Sequence, residues 1–449
     1  MSRLRPAFSG GLSLRRREPP RGDSTIRQMP FAPALFLPLR QHAGDPSVPV
    51  VHEGEDVVRG QLLARPDGDG GLPLHAPATG EVISIAERAD RAGRTVLVIQ
   101  LAPSAGDTQE YPGGAGCDPE STRPDEMLEL IRDAGVVDLG GGARAMHARL
   151  QRARADGTSM LVLNGIDSDP GLSDAAPVLQ GLEQDLRRGA RCLARILGAR
   201  RVVLVVEEPD GEAARALVGT FTPETGPELQ VLPPRYPQGA EPLLLRRVFG
   251  GSAKRGGSEA APGALSISIA TAAEVGRLLA DGLAMTDQVV TLGGGGLADP
   301  GHYRTPLGTP LQFALEHAGM CPAPASVLRG GMMRGEALAS LAQPVTKGVT
   351  GYLALAEDEM PADVPALPCI RCGECIAACP VQLNPAELGL LARRQDYKKM
   401  NEKYALKACI ECGCCSYACP SHIPLLQLFR AAKAQSRRRS VGMAAGGAR

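Results

Sequence analysis

Cys369-Ile-Arg-Cys372-Gly-Glu-Cys375-Ile-Ala-Ala-Cys379-Pro380 and Cys409-Ile-Glu-Cys412-Gly-Cys-Cys415-Ser-Tyr-Ala-Cys419-Pro420 are two copies of one pattern near the C-terminus. Two-residue gaps let three thiolates wrap one corner of a cubane, and Gly373 and Gly413 permit backbone conformations that other residues resist. The fourth cysteine of each run points elsewhere. A structural zinc site pairs two Cys-x-x-Cys units across a longer gap and has no use for three evenly spaced thiolates and a Cys-Pro, twice over. The spacing predicts two [4Fe–4S] clusters and, with them, the carriage of electrons.

The same spacing is found in two-cluster ferredoxins, where the fourth thiolate ligates the other cluster. Carried over, that resemblance puts one cluster on Cys369, Cys372, Cys375 and Cys419 and the other on Cys379, Cys409, Cys412 and Cys415. Two clusters sharing crossed ligands lie close together and form a relay. Cys414 breaks the spacing and reads as a spare buried thiol beside the ligands. Between the runs, Pro385-Ala-Glu-Leu starts a helix with Leu388, Leu391 and Ala392 on one face, and Pro424-Leu-Leu-Gln-Leu-Phe starts another after the second run. Helices over the clusters restrict water and so influence their potentials.

The chain has 449 residues, enough for about three ordinary domains. Aromatics make up only 3% of it, so its cores must rest on Leu, Val, Ile and Ala. Lys and Arg number 49 and so do Asp and Glu, which removes any whole-chain attraction to nucleic acid or an anionic membrane. No window approaches the roughly 18 consecutive apolar residues of a spanning helix. Arg15, Arg16 and Arg17 are followed by Glu-Pro-Pro rather than by the apolar core of an export signal. Reduced thiols are therefore expected, which favours metal ligation over a disulfide framework.

Residues 1–30 read as an irregular arm rich in Arg, Pro and Gly. From 31 to 102, short β-prone segments at Leu35–Leu39, Val48–Val51, Gln61–Leu63, Gly80–Ile85 and Thr95–Leu101 alternate with turns. His52-Glu-Gly-Glu-Asp-Val-Val-Arg-Gly-Gln-Leu-Leu and His75-Ala-Pro-Ala-Thr-Gly-Glu-Val resemble the barrel-sandwich fold of biotinyl and lipoyl carriers. A carrier needs an attachment lysine, and the first lysine in the chain is Lys254. This unit is therefore structural or interacting.

Over 120–250 the pattern alternates, with a helix at Asp125–Ala134, strands at Leu161–Asn164, Arg201–Glu207 and Gln230–Pro233, and an apolar-periodic helix at Leu182–Leu197. That predicts an α/β layer with a mainly parallel sheet. A second, smaller mixed unit over 260–345 is expected from a strand at Leu265–Ile269, a helix at Thr271–Asp281, a strand at Gln288–Leu292 and a helix at Leu311–Ala318. Gly293–Gly296 reads as a strand-end turn rather than a phosphate loop. Gly140, Gly141 and Gly142 precede an expected helix at Ala143–Arg152 and form either a plain turn or a flavin-phosphate cradle. Cys117, Cys192 and Cys321 read as buried apolar residues, His422 as solvated, and Arg437-Arg438-Arg439 as part of a basic tail over 433–449.

Taken together, the chain resembles the C subunit of the Rnf electron-transport complex over nearly its whole length. The resemblance is carried by Phe8-Ser-Gly-Gly, Leu39-Arg-Gln-His42, Tyr236-Pro-Gln-Gly239, Val289-Val-Thr-Leu, Pro300-Gly, Leu307-Gly-Thr-Pro310, Ala318-Gly-Met-Cys-Pro322, the barrel-sandwich phrases and both cysteine runs. The cobalamin reductase of propanediol-utilisation compartments is similar but lacks the leading barrel. The family fold implies four parts: a barrel-sandwich hybrid, an α/β nucleotide-binding-like domain similar to the complex I flavoprotein, a small β-grasp-like α+β unit, and a helical ferredoxin-like domain over 360–432.

What the resemblance implies is a peripheral subunit on the cytoplasmic side of the inner membrane. It would relay electrons through two [4Fe–4S] clusters within a complex that moves ions. Its implied partners are the other subunits and NADH or ferredoxin, with FMN and NADH as further cofactors. The family's Gly-Gly-Ala-Gly-Phe-Pro-Thr stretch matches Gly140-Gly-Gly-Ala-Arg-Ala-Met146, without Phe-Pro-Thr. Its Asn-x-x-Glu-x-Glu-Pro-Tyr stretch matches Asn164-Gly-Ile-Asp167-Ser-Asp169-Pro170-Gly171, with shortened acids and no aromatic. The alternative is a soluble iron–sulfur oxidoreductase or carrier outside any membrane complex.

Overall fold

The computed structural model describes residues 9–14, 24–68, 71–90, 93–106, 108–111, 113–140, 142–221, 226–249, 263–322, 324–360 and 364–446, the last with side chains to 437. Phe8, the Arg15–Arg17 run and Gly141 lie outside the described residues, as do the side chains of Arg438 and Arg439. The chain divides into two units. One gathers Met1–Arg15, Pro234–Ala261 and Pro361–Arg449, and the other holds Arg16–Pro233 and Pro262–Met360.

Within the larger unit, the barrel sandwich follows the expected segments. Leu35–Pro38, Thr95–Pro103, Gly80–Ala89 and Asp56–Val57 form one sheet, and Val48–Pro49, Leu62–Arg65 and Leu74–His75 form the other. Leu35, Leu37, Ile99, Leu101 and Val82 are buried between them. They alternate with less buried neighbours as a strand's period of two requires.

A four-stranded sheet, ordered Glu228–Leu232, Arg201–Glu207, Met160–Gly165, Ala264–Ser268, is parallel throughout. Arg201–Glu207 reads Arg-Val-Val-Leu-Val-Val-Glu, with its last five residues buried, as a strand covered on both faces should be. The strand and helix expected to open a separate unit at 260 instead complete this sheet. Ala264–Ser268 pairs with Met160–Gly165 because the edge of that strand needs a partner for its backbone donors and acceptors. The helix Ile269–Ala280 then lies on Glu183–Leu197, where Gly189 and Gly276 let the backbones touch: a Cβ on either would overlap the other helix.

The expected helix at Ala143–Arg152 runs instead over Met146–Ala155. Ala143 has φ 53 and Ala145 bridges Val137, which delays the start.

The third sheet of this unit is mixed, ordered Ile26–Gln28, Gly301–Pro306, Asp287–Gly293, Gly351–Leu355, Ser326–Arg329, Glu336–Ala337. Its first strand comes from the arm expected to be irregular, because Ile26, Arg27 and Gln28 add in parallel to the free edge at His302–Arg304. Gly293 ends a strand, and the Gly295 N–H donates to the Glu359 carboxylate at 2.6 Å. Lys347 is fully enclosed and donates to the carbonyls of Pro73 (3.1 Å) and Gly135 (2.8 Å). Burial lowers its pKa to about 7, and the two N–H bonds of a neutral amine match those two acceptors.

The smaller unit is mostly helical. Pro385–Arg393 is capped by the Asn384 side chain accepting from the Glu387 N–H at 3.1 Å. Leu425–Gly446 extends through the segment expected to be a tail, since its run of Ala, Lys, Gln and Arg is strongly helix-forming. Cys117 and Cys192 are buried as expected, whereas Cys321 is only partly so. His422 is exposed.

Candidate metal centre

The two cysteine runs repeat in backbone as well as in sequence. Arg371 and Glu411 have φ 59 and 55, and Gly373 and Gly413 have φ 87 and 79. Each glycine opens a one-turn helix, Glu374–Ala377 or Cys414–Tyr417, which delivers the third cysteine. The left-handed glycine turns the chain back without a Cβ clash, so the first three thiols of a run converge. The runs also grip each other. The Leu367 N–H donates to the Ser421 carbonyl (2.9 Å), and the Ser421 hydroxyl donates to the Pro368 carbonyl (3.0 Å).

A cavity of about 250 Å³ is lined by Cys369, Cys372 and Cys375 of the first run and Cys419 of the second, with Gly389, Leu390 and Arg393 of the following helix. Burial, and then the neighbouring Cys419, Cys372 and Cys369, push the Cys375 thiol up. In the other half, burial raises Cys415, followed by Cys409, Cys412 and Cys379. Cys409 is pushed up to about 11 by burial. The structure thus brings the eight predicted cysteines together in two groups, each drawing its fourth member from the opposite run.

Cys369, Cys372, Cys375 and Cys419 line a space with room for a cubane cluster, whose four iron corners each take one thiolate. The Leu383 N–H donates to Cys379 Sγ at 3.3 Å and the Glu411 N–H to Cys409 Sγ at 3.4 Å, contacts of the kind that tune the potential of a thiolate-held cluster. The residues present fit a pair of iron–sulfur clusters.

The surroundings of the two halves differ. Cys369 and Cys372 are exposed, whereas Cys379, Cys412 and Cys415 are buried. Lys433 of the last helix donates to the Cys409 carbonyl (2.6 Å) and to the Glu411 carboxylate (2.8 Å), which Arg430 also meets at 3.3 Å. Cys414 is wholly buried, and its thiol hydrogen-bonds with Cys412; that bond and burial keep it protonated.

Residues far away in sequence close over this half. The Gly11 N–H donates to the Ala378 carbonyl at 3.0 Å, Leu12 and Tyr236 exchange backbone hydrogen bonds, and the Tyr236 hydroxyl donates to the Cys412 carbonyl at 2.7 Å. Sequence reasoning treated Ser9-Gly10-Gly11 and Tyr236-Pro237 only as family markers. Nothing in their spacing linked them to the cysteines.

In the larger unit, the Gly140 turn lies at the carboxyl edge of the parallel sheet. The Leu139 N–H donates to the Thr271 hydroxyl (2.9 Å), and the Ser268 hydroxyl at the strand end donates to the Leu139 carbonyl (3.1 Å). Gly140 and Gly142 have φ 74 and 86, with open space where a Cβ would stand. Asn164 and the buried Glu207 end neighbouring strands at the same edge, where open α/β sheets bind ligands. Glu207 and Ser268 were missed, although their places at strand ends were legible.

The two acids of the 164–171 stretch serve the protein. Asp167 accepts from the N–H groups of Asp174 (2.9 Å) and Ala175 (3.1 Å). Asp169 accepts from those of Met333 (2.8 Å) and Arg334 (2.9 Å), and burial raises its pKa despite Arg334.

Three family profiles match: an RnfC barrel sandwich hybrid domain over residues 6–104, a Nuo51 FMN-binding domain over 131–277 and a 4Fe-4S dicluster domain over 365–439. The second ends within the helix after Ala264–Ser268, in accord with the observed sheet. The C subunit of an ion-translocating oxidoreductase complex from Pseudomonas aeruginosa is 36% identical over 437 residues, covering 96% of this chain and 56% of that protein. The C subunit of a proton-translocating ferredoxin:NAD(+) oxidoreductase complex from Clostridium ljungdahlii is 30% identical, covering 89% and 87%. This chain therefore spans little more than half of the first relative and most of the second. An NAD+-reducing [NiFe]-hydrogenase structure matches at TM-score 0.49 and 18% identity, over 71% of this chain and 64% of that one. With the barrel sandwich, the FMN-type α/β domain and the dicluster domain in one order, this chain belongs to the family of C subunits of ion-translocating oxidoreductase complexes.

Proposed function

We propose that this chain is the peripheral electron-transfer subunit of a membrane-bound complex that couples electron transfer at the NADH/ferredoxin level to ion movement, on the cytoplasmic side of the inner membrane. The observation that carries this reading is the cavity lined by three cysteines of one run and the fourth of the other, in a chain of this family. Its partners are the remaining subunits of the complex, with NADH or ferredoxin as the soluble redox partner. No helix among the described residues is long and apolar enough to cross a membrane, and in this reading the spanning segments belong to those subunits.

The ligand sets are Cys369, Cys372, Cys375 and Cys419 for one cluster and Cys379, Cys409, Cys412 and Cys415 for the other. When bound, the clusters supply one-electron carriers. The chain's own residues hold them by thiolate, donate N–H groups to the sulfurs and exclude water with the helices that follow each run. The six-stranded sheet is the small β-grasp-like unit of the family.

Gly140 and Gly142 leave room for an FMN phosphate, with NADH beside it. The carboxylates of Asp167 and Asp169 are committed to the protein's own N–H groups, so no step is assigned through the flavin.

Iron analysis and electron paramagnetic resonance of the purified chain test the relay, with about eight irons and two coupled centres expected. Flavin content and NADH-dependent reduction of the iron test the dehydrogenase role, and absence of both removes it while leaving the relay. Membrane association lost at high salt supports docking. Full recovery in the soluble fraction, with no membrane partner, sinks the complex-bound reading in favour of a soluble carrier.

A further inference from the structure

Resting on the two-cluster reading, we propose that Ser9–Leu12 and Arg235–Tyr236 form a strap that keeps water from the second ligand set and so holds its reduction potential below that of the first.

The strap is built rather than merely adjacent. The Gln382 amide donates to the Ser9 hydroxyl (2.6 Å), Arg235 Nε donates to the Gly10 carbonyl (3.0 Å), and the Gly11 N–H reaches the Ala378 carbonyl, one residue before the ligand Cys379. Gly10 has φ 86, and a Cβ there would stand 2.6 Å from the Cys379 carbonyl oxygen, so only glycine lets the strand lie this close. Leu12 and Tyr236 then pack on Cys412 and Cys414. The matching position to Cys414 in the first run is Glu374, which is exposed, with no strap above it among the described residues.

Reduction adds one negative charge to a centre already made negative by four thiolates. Water stabilises that added charge and a dry apolar cover does not, so shielding lowers the potential. The N–H donors Leu383 and Glu411 to Cys379 and Cys409 act in the opposite direction, as do the cations Lys433 and Arg430 beside Cys409 and Glu411, but none of these residues belongs to the strap. A change confined to the strap leaves them in place, and its effect isolates water access.

The test is a potentiometric titration of the full-length, iron-loaded protein followed by electron paramagnetic resonance, with the first cluster identified by the signal that Cys372→Ser perturbs. Leu12→Ala and Gly10→Val are expected to raise the second cluster's reduced-to-oxidised ratio at fixed ambient potential about tenfold, a shift of about 59 mV for one electron. The first cluster should stay put. Leu12→Ile should restore wild-type behaviour, and deuterium coupling after exchange into D2O should grow at the second cluster alone.

If Gly10→Val releases iron, Leu12→Ala, which leaves the strap's backbone bonds intact, carries the test. A wild type with about eight irons but equal potentials, or a Leu12→Ala variant in which both clusters or neither shift, overturns the strap while the two-cluster reading stands. A wild type without two clusters removes that reading itself.

Discussion

Ile370 and Ile410 hold the same place in the two cysteine runs, between the first and second ligands, yet they live in different surroundings. Ile370 is 68% exposed, whereas Ile410 packs against the core around Cys412 and Cys414. The same contrast runs through the repeat. Arg371 is exposed where Glu411 is clamped by Lys433 and Arg430, and Glu374 is exposed where Cys414 is sealed. Duplication of a ligand pattern thus copies how iron is held but not the medium in which it is held. That medium comes from the side chains that differ between the two copies, Lys433 and Arg430 among them, and from Ser9–Leu12 and Tyr236, which have no counterpart in the repeat.

The largest effects break the comparison at its ligands. Cys379→Ala should halve the iron, from about eight to about four per chain, and abolish the signal of the second cluster although it alters the first run. Cys419→Ala should do the converse. Loss within the mutated run in either case would dissolve the crossed pairing.

Next in size is a control from the other unit. Lys347 has a folded pKa of about 7, below the ordinary 10.5. Between those values the unfolded chain binds more protons, so stability should climb as pH rises from about 7 toward 10 and be lost again as pH falls through 7. The slope approaches about 1.4 kcal/mol per pH unit where the two states differ by a whole proton. Lys347→Met should flatten that climb in denaturant titrations, and retention of iron should not follow it.

Ile410→Ala should cost about 1–2 kcal/mol of the smaller unit's stability, and Ile370→Ala less than about 0.5 kcal/mol; chemical unfolding followed by helical circular dichroism separates them. Equal costs would mean that the two halves share one environment after all. Ser421→Ala should fall between the two isoleucine variants, at about 1 kcal/mol for one hydrogen bond to Pro368, read in the same way.

Legibility differed by element for a physical reason. The first three cysteines of each run, the left-handed glycines and the helices after each Cys-Pro are local, and their spacing in sequence is their spacing in space. The strand Arg201–Glu207 was legible for a similar cause, since a run of β-branched residues has few other stable conformations. Ala264–Ser268 was also legible as a strand, but not as the fourth member of a parallel sheet, because pairing partners are chosen by exposed edges far away along the chain. The Gly140 turn was visible, while the commitment of Asp167 and Asp169 to N–H groups at 174–175 and 333–334 was not.

By itself, the sequence determined that two cysteine runs of iron–sulfur spacing repeat near the C-terminus, that a barrel sandwich without a carrier lysine precedes an α/β layer, and which family the chain resembles. Those properties depend on residue type and short-range spacing. Only the tertiary structure decided that one cysteine group opens to solvent and the other lies under a strap from the N-terminal segment and Tyr236. Burial is the sum of contacts from segments hundreds of residues apart, and no local pattern encodes which of two matching loops will be covered.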